Sequence, residues 1–184
     1  MKNILFIFSI IFITALSSCS MAKLDKYPGT KLDSIPTEFR GQYYFKLGTN
    51  SKDPKDSVYI VISKSGWKQI ENKRKDEFNL SSDLVFSKVD KYFVISNKDE
   101  NAKNYWNSWV IIPKRKSVEI YPIVTIKHPN ADKLSLYLSH QFGGMNGIDS
   151  MYYYKTEDIG FIKYFEKEIK GSKTFEIIRI KEQK

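Results

Sequence analysis

The chain of 184 residues is 41% hydrophobic and 15% aromatic, which provides enough apolar side chain for a buried core and excludes a disordered protein. Its formal net charge of +9 comes almost entirely from lysine, because the chain contains just four arginines. Since arginine is the residue that grips phosphates and base edges bidentately, this composition argues against a nucleic-acid partner and favours a solvated, lysine-rich surface.

The first eighteen residues have the organisation of a secretory signal peptide. Lys2 provides the positive start, residues 4–13 form an almost unbroken apolar run, and small or polar residues follow as far as Ser18. The apolar run is shorter than the ~20 residues that span a bilayer, so a permanent transmembrane helix is the weaker interpretation. We therefore expect residues 1–18 to be removed from the mature protein.

The end of this segment, Leu16-Ser17-Ser18-Cys19, resembles the lipobox of bacterial lipoproteins. The resemblance implies that the Cys19 thiol receives a diacylglyceryl group, that the signal is cleaved just before Cys19, and that the new amine is often acylated as well. Because Cys19 is the only cysteine of the chain, an intramolecular disulfide is excluded. We therefore expect attachment to a membrane through lipidated Cys19, since two or three acyl chains hold a protein firmly.

Ser20 follows the lipidated position, where an aspartate would, by resemblance to Gram-negative lipoproteins, favour the inner membrane. The prediction is an outer-membrane anchor with the domain facing the periplasm. Surface display and a bacterium with a single membrane remain open alternatives.

Residues 19–38 are predicted to form a lipidated tether, because they are polar, contain Tyr27-Pro28-Gly29 and Ile35-Pro36, and show no sustained period. Residues 39–184 are predicted to form a single domain. Within it, alternation and apolar runs predict the strands 39–47, 57–63, 66–70, 84–89, 91–97, 105–112, 117–126, 134–138, 151–155 and 173–180. The charged segment 71–83 is predicted to be a long loop or a short helix, and the glycine-rich segment 141–149 a hairpin loop.

The period changes to that of a helix after residue 155. Thr156 is predicted to cap this helix, with Glu157 and Asp158 in its first turn and Gly171 as its stop. The predicted stripe at helical spacing consists of Ile159, Ile162, Phe165, Glu166 and Ile169.

This order of elements predicts a mainly β fold: an antiparallel meander that closes into a barrel, with one C-terminal helix and a final strand, and with a sandwich as the second choice. The order, together with Gly41-Gln42-Tyr43 on the first strand, resembles lipocalins and lipocalin-like bacterial lipoproteins. Lipocalins have tryptophan where this chain has Tyr43, and an arginine usually packs over that residue. Arg179 on the last strand is the candidate for this role.

No catalytic or metal-binding motif is evident, and no cofactor is expected. The chain has no Gly-x-Ser-x-Gly elbow, and its two histidines, His128 and His140, are placed near strand ends without an identifiable third ligand. Glycines 143, 144 and 147 could let backbone amides approach an anion, although a flexible hairpin is the favoured reading. Glu119 is expected to point away from Val118 and Ile120.

Tyr43, Trp106 and Trp109 are the candidate ligand-binding residues, because aromatic side chains often line apolar cavities; the alternative is that they form core. The predicted function is a non-enzymatic, lipid-anchored envelope lipoprotein that binds a small apolar or lipid-like ligand. The alternative is a protein-binding envelope lipoprotein, such as an assembly factor, an inhibitor or an immunity-type protein, using the basic segments 73–75 and 114–116. An enzyme with an unrecognised site is a third hypothesis.

Overall fold

The structure is a computed structural model that describes residues 19–46, 57–71, 74–99, 104–128, 131–132, 137–138, 140–146, 149–170 and 175–180. Strands dominate these ranges: β1 (Cys19–Met21), β2 (Lys23–Leu24), β3 (Thr30–Lys31), β4 (Gly41–Lys46), β5 (Ser57–Ile62), β6 (Gly66–Glu71), β7 (Arg74–Asn79), β8 (Leu84–Val89), β9 (Tyr92–Lys98), β10 (Trp106–Pro113), β11 (Ser117–Pro122), β12 (Val124–His128), β13 (Ala131–Asp132), β14 (His140–Asn146), β15 (Asp149–Tyr154) and β16 (Phe175–Arg179). A 3-10 helix covers Thr37–Phe39, and helix α1 is α-helical over Asp158–Tyr164 and π-helical over Phe165–Ile169.

Ten strands form a continuous antiparallel sheet that curls into a half-barrel. Their order is β3-β8-β9-β10-β11-β16-β4-β5-β6-β7, so the last strand of the chain lies between β11 and β4. The prediction of a mainly β, curled antiparallel fold with one C-terminal helix and a final strand is confirmed. Strands β2, β15 and β14 extend the sheet from one end of β10, and β1, β12 and β13 form a separate small sheet.

Strands β8 to β11 bury side chains on both faces. Along β9, Val94 packs in one core while its neighbours Phe93 and Ile95 pack in another, because successive side chains of a strand point to opposite faces. The outer core lies between the sheet and α1, and it includes Val94, Val110, Phe161 and Phe165. The inner core lies within the curl of the sheet, and it includes Phe39, Phe86, Ile111 and Ile177.

The segment that precedes the 3-10 helix is folded against the sheet, so the predicted tether over 19–38 is wrong for residues 22–38. Ala22 and Leu24 are fully buried in the outer core, and Ile35 is buried in the inner core. The backbone N–H of Leu32 donates to Phe86 O (2.8 Å), and that of Ile35 donates to Lys64 O (2.9 Å). The apolar residues are too widely spaced to produce a period, and partners distant in sequence bury them individually.

Two predicted loops are strands. Residues 74–79 form β7, which pairs with β6 along its whole length at the edge of the sheet. An edge strand whose side chains are mostly exposed needs no apolar alternation, and charges there discourage pairing with other chains. Residues 140–146 form β14, which pairs with β15 although its sequence is rich in glycine. In addition, the predicted strand 117–126 is divided at Ile123, since β11 and β12 belong to different sheets.

Helix α1 buries part of the predicted stripe: Phe165 and Ile169 are buried and Ile162 packs against the outer core, as predicted, but Ile159 is not buried. Ile159 is 71% exposed, whereas Phe161, Tyr164 and Phe165 are fully buried against the sheet. Thr156 does not cap the helix: its backbone N–H donates to the Asp25 carboxylate (2.8 Å), and its hydroxyl donates to Lys26 O (2.9 Å). The buried face of the helix is the one that contacts the sheet. The helical period of the sequence does not specify on which side the sheet lies.

Several predictions lie outside the described residues or only partly within them. Residues 1–18, Lys73, Gly147 and Gly171 lie outside, so the signal peptide and the helix stop stay predictions. Of the predicted strand 134–138, the structure describes Tyr137 and Leu138, which lie in a turn.

Candidate functional site

The curled sheet encloses a partly open cavity of about 110 Å³. It is lined by eight strands and by the segment that leads into β4. The lining residues are Ile35, Phe39, Phe45, Ile60, Ile62, Trp67, Gln69, Phe86, Ile95, Trp109, Ile111, Val118, Ile120, Phe175 and Ile177. Because side chains from β4, β5, β6, β8, β9, β10, β11 and β16 converge on it, the cavity occupies the concave interior of the half-barrel.

The wall of this cavity is uncharged, and nearly all of it is hydrocarbon. A charged group placed there would lose its hydration without gaining an ionic partner on the wall, which is strongly unfavourable. An apolar group would instead be removed from water, which is favourable in proportion to the area buried. The cavity is therefore suited to a neutral, largely apolar molecule.

Aromatic pairs hold part of the wall in a defined shape. The Phe39 ring meets Phe86 edge-on at 5.4 Å and Phe93 edge-on at 5.0 Å between centroids. On the other side of the curl, Trp67 stacks on Phe78 at 5.3 Å. Edge-to-face and offset arrangements of this kind are favourable beyond the area that they bury, so these residues maintain the cavity.

The segment that was predicted to be a tether closes a gap between two parts of the sheet. Its hydrogen bonds join residue 32 to β8 and residue 35 to the turn between β5 and β6, which lie apart in the strand order. Ile35 and Phe39 thereby become part of the cavity wall. The cavity consequently depends on residues that lie N-terminal to the first long strand.

Arg179 joins β16 to β4. Its guanidinium lies 5.0 Å from the centre of the Tyr43 ring and donates to Glu38 O (2.6 Å) and Arg40 O (3.2 Å). The Tyr43 hydroxyl accepts a further bond from Arg179 (2.5 Å) and donates to Phe39 O (2.8 Å). Burial raises the pKa of Tyr43, and the neighbouring guanidinium opposes that rise. This Arg179–Tyr43 clasp holds the entry to β4 in place.

Gly41 lies beside the clasp. Its φ of +141° is a conformation that side-chain-bearing residues rarely adopt. A Cβ at this position would lie 3.5 Å from a guanidinium nitrogen of Arg179, which is an ordinary van der Waals distance. The glycine two residues before Tyr43 is thus required by backbone conformation.

The structure separates the three residues that were predicted to bind a ligand. Trp109 lines the cavity. Tyr43 is fully buried in the inner core, but its contacts are those of the clasp and it does not line the cavity. Trp106 lies in the outer core, where its ring meets Tyr27 edge-on at 5.1 Å. The odd spacing between Trp106 and Trp109 on one strand places them on opposite faces, a signal that the sequence contained.

Most of the cavity wall was not singled out from the sequence, although the predicted strands contain it. Alternation along β5 and β10 assigns Ile60, Ile62, Trp109 and Ile111 to faces, but it does not say which face is concave. Gln69 is the most informative omission. It follows Trp67 by two residues, so it was identifiable as a polar residue on an inward face.

A partly buried ion pair joins β2 to Asp99, the residue that follows β9. The Lys23 ammonium pairs with the Asp99 carboxylate and donates to Asn107 Oδ1 (3.0 Å), while Asn107 Nδ2 donates to Asp99 Oδ2 (3.3 Å). Asp99 is 8% exposed, and these partners compensate its charge. The group fixes the N-terminal segment and leaves the carboxylate engaged in structural contacts.

A second ionic group attaches α1 to the sheet. The Glu166 carboxylate accepts from the Lys91 ammonium (2.8 Å) and from the Tyr92 hydroxyl (2.9 Å). The pKa of Glu166 is lowered mainly by the hydrogen bond from Lys91 and next by the hydrogen bond from Tyr92. The same ion pair raises the pKa of Lys91. Glu119, as predicted, points away from the cavity, where it accepts from Tyr121 (3.0 Å) and pairs with Lys114 (3.2 Å).

His128 ends β12, and His140 begins β14. The side chains of both histidines lie outside the described part of the chain. Within the described ranges, no group of three or more histidine, cysteine, aspartate and glutamate residues is arranged to hold a metal ion.

Comparison with protein-family models, with curated proteins and with solved structures finds no match to this chain. Among the described residues, no helix combines the length and apolar character needed to cross a bilayer.

Proposed function

We propose that this chain is a non-enzymatic, lipid-anchored lipoprotein of the bacterial cell envelope that binds a small apolar or lipid-like molecule inside its curled sheet. The observation that carries the proposal is the uncharged cavity of about 110 Å³, enclosed by eight strands. In this proposal lipidated Cys19 attaches the protein to the outer membrane, and the domain faces the periplasm.

The size of the cavity supports a small ligand. An engineered apolar cavity of about 150 Å³ in another protein binds benzene, so a slightly smaller, partly open cavity accommodates about one ring or a short acyl segment. Burial of such a group contributes roughly 25 cal/mol per Å² of apolar surface. The clasp between Arg179 and Tyr43 adds support for the lipocalin resemblance, because an arginine packed over this aromatic residue is what the resemblance implies.

Native mass spectrometry of the full-length protein, extracted gently from its own membranes, tests both parts of the proposal. We expect acyl mass on Cys19 and a releasable small molecule, and we expect a secreted Cys19→Ala form to retain that molecule. Absence of acyl mass would overturn the anchor. A co-purifying protein together with an empty cavity would replace ligand binding by the protein-binding alternative.

Two neighbouring isoleucines provide matched variants for the cavity. Ile111 lines it, whereas Ile112 packs against the outer core on the opposite face of β10. We expect Ile111→Phe to fill the space and to remove the retained molecule, and we expect Ile112→Phe to keep it, although overpacking lowers stability by about 1–3 kcal/mol. Equal retention by both variants would contradict binding in this cavity.

A further inference from the structure

Gln69 brings a side-chain hydrogen-bond donor to the apolar cavity wall. Gln69 is 5% exposed, and its side-chain amide nitrogen, Nε2, has no hydrogen-bond partner among the described residues. The residue lies in β6, between β5 and β7, opposite Ile60 on one side and Asp76 on the other. Alternation directs Trp67 and Gln69 into the cavity, while Lys68 between them is exposed on the opposite face.

A buried amide donor without an acceptor is destabilising, because it has lost its hydrogen bonds to water and has gained none in the protein. Folding alone would favour an apolar residue at this position, since the other residues on the wall are almost all hydrocarbon. The amide becomes favourable when an acceptor enters the cavity and binds it. Gln69 therefore has the character of a recognition group.

We propose that the Gln69 amide donates a hydrogen bond to an oxygen acceptor of the ligand, so that the ligand is a neutral carbonyl compound with an apolar body of about one ring. This inference rests on the proposed function and defines its ligand class. An ionised carboxylate does not fit, because none of the lining residues carries a positive charge. A ketone, ester or related carbonyl satisfies the donor while its hydrocarbon part occupies the rest of the cavity.

The test uses two probes of nearly the same shape, cyclohexanone and methylenecyclohexane, which differ in whether the exocyclic atom is an acceptor oxygen or a CH₂ group. The affinities of both probes are measured by NMR titration of the secreted Cys19→Ala form of the protein. Gln69→Leu removes the donor and keeps the approximate volume of the side chain. Gln42→Leu is the matched control, because Gln42 is exposed on β4 and does not line the cavity.

We expect Gln69→Leu to weaken cyclohexanone binding by about 3- to 10-fold, the effect of one neutral hydrogen bond, and to leave methylenecyclohexane binding unchanged or stronger. Gln42→Leu should change neither affinity. In the unmutated protein, labelled with ¹⁵N, the Gln69 side-chain amide signal should shift with cyclohexanone and much less with methylenecyclohexane. This second measurement tests the hydrogen bond from Gln69 without any substitution, so it is informative even if the Gln69→Leu variant fails to fold.

The outcomes separate the inference from the function on which it rests. If neither probe binds the unmutated protein, the cavity is not a binding site for ring-sized molecules, and the proposed function fails together with the inference. If both probes bind and Gln69→Leu affects them equally, ligand binding stands and the role of Gln69 is refuted. An amide signal that ignores cyclohexanone would refute that role independently.

Discussion

At the scale of single residues, Arg179 connects two parts of the fold that are distant in the sequence. Its guanidinium binds two backbone carbonyls at the entry to β4 and also the Tyr43 hydroxyl. The planar fork of arginine reaches several acceptors at once, which lysine cannot do with one ammonium group. The residue thereby links the last strand of the chain to the 3-10 helix and the first long strand.

We expect Arg179→Ala to lower the free energy of unfolding by about 1.5–3 kcal/mol, because carbonyls bound by a charged donor lose that partner. Arg179→Lys should recover part of the loss. Arg115→Ala is the control, since Arg115 is exposed in the turn between β10 and β11 and should change stability by less than about 0.5 kcal/mol. Denaturant unfolding measures all three variants, and equal stability of Arg179→Ala and Arg115→Ala would show that the clasp contributes little.

At the scale of elements, the predictions from the sequence assigned two isoleucines, Ile35 and Ile159, to the wrong environments. Ile35 was expected in an exposed tether and is 1% exposed, because β8 and the β5–β6 turn bind the backbone around it. Ile159 was expected on the buried stripe of α1 and is 71% exposed, because the sheet meets the helix on the side of Phe161. Both errors concern the direction of tertiary contact, which local periodicity does not specify.

The same substitution at these two positions tests the structure. We expect Ile35→Ala to destabilise the protein by about 2–5 kcal/mol, the usual cost of removing a buried isoleucine side chain. Ile159→Ala should change stability by less than about 0.5 kcal/mol, as is typical of exposed positions. Thermal or denaturant unfolding gives both values, and the reverse order would support an exposed Ile35 in a tether and a buried Ile159 on the helix.

At the scale of the whole molecule, the folded N-terminal segment changes how a lipidated protein would sit on its membrane. Cys19 lies three residues before the fully buried Ala22, and β1 pairs with β12 through Cys19–Met21. At about 3.3 Å per residue, the path from Cys19, the proposed site of lipid attachment, to the core is about 10 Å. A tether of twenty free residues would instead hold the domain several tens of ångströms away.

We therefore expect neutron reflectometry of the lipidated protein on a supported bilayer to place the domain directly against the head groups. Inserting twelve Gly/Ser residues after Cys19 should move the domain away by about 20 Å, the root-mean-square span of a flexible linker of that length. A broad water layer beneath the unmodified protein, unchanged by the insertion, would contradict a short attachment. The unlipidated Cys19→Ala form, which should not be retained on the bilayer, is the control.

The amino-acid sequence by itself determined the fold class and the boundaries of most long strands, whereas the candidate pairing of Tyr43 with Arg179 came from the resemblance to lipocalins. The fold class and these boundaries rest on local signals: runs of β-branched and aromatic residues in 57–62 and 92–98, and a change of period after residue 155. Such signals arise within a few neighbouring residues, so they can be recognised without knowing which distant segments pack against them.

The tertiary structure alone decided which faces became concave, and therefore which residues line the cavity. The spacing of Trp106 and Trp109 places them on opposite faces of β10, but only the curl of the sheet decides that Trp109 lines the cavity while Trp106 packs in the outer core. It also decided that residues 22–38 belong to the domain and that the charged segment 74–79 is a paired edge strand. The physical reason is common to all of these: curvature, burial and edge pairing are properties of strands brought together from distant parts of the chain.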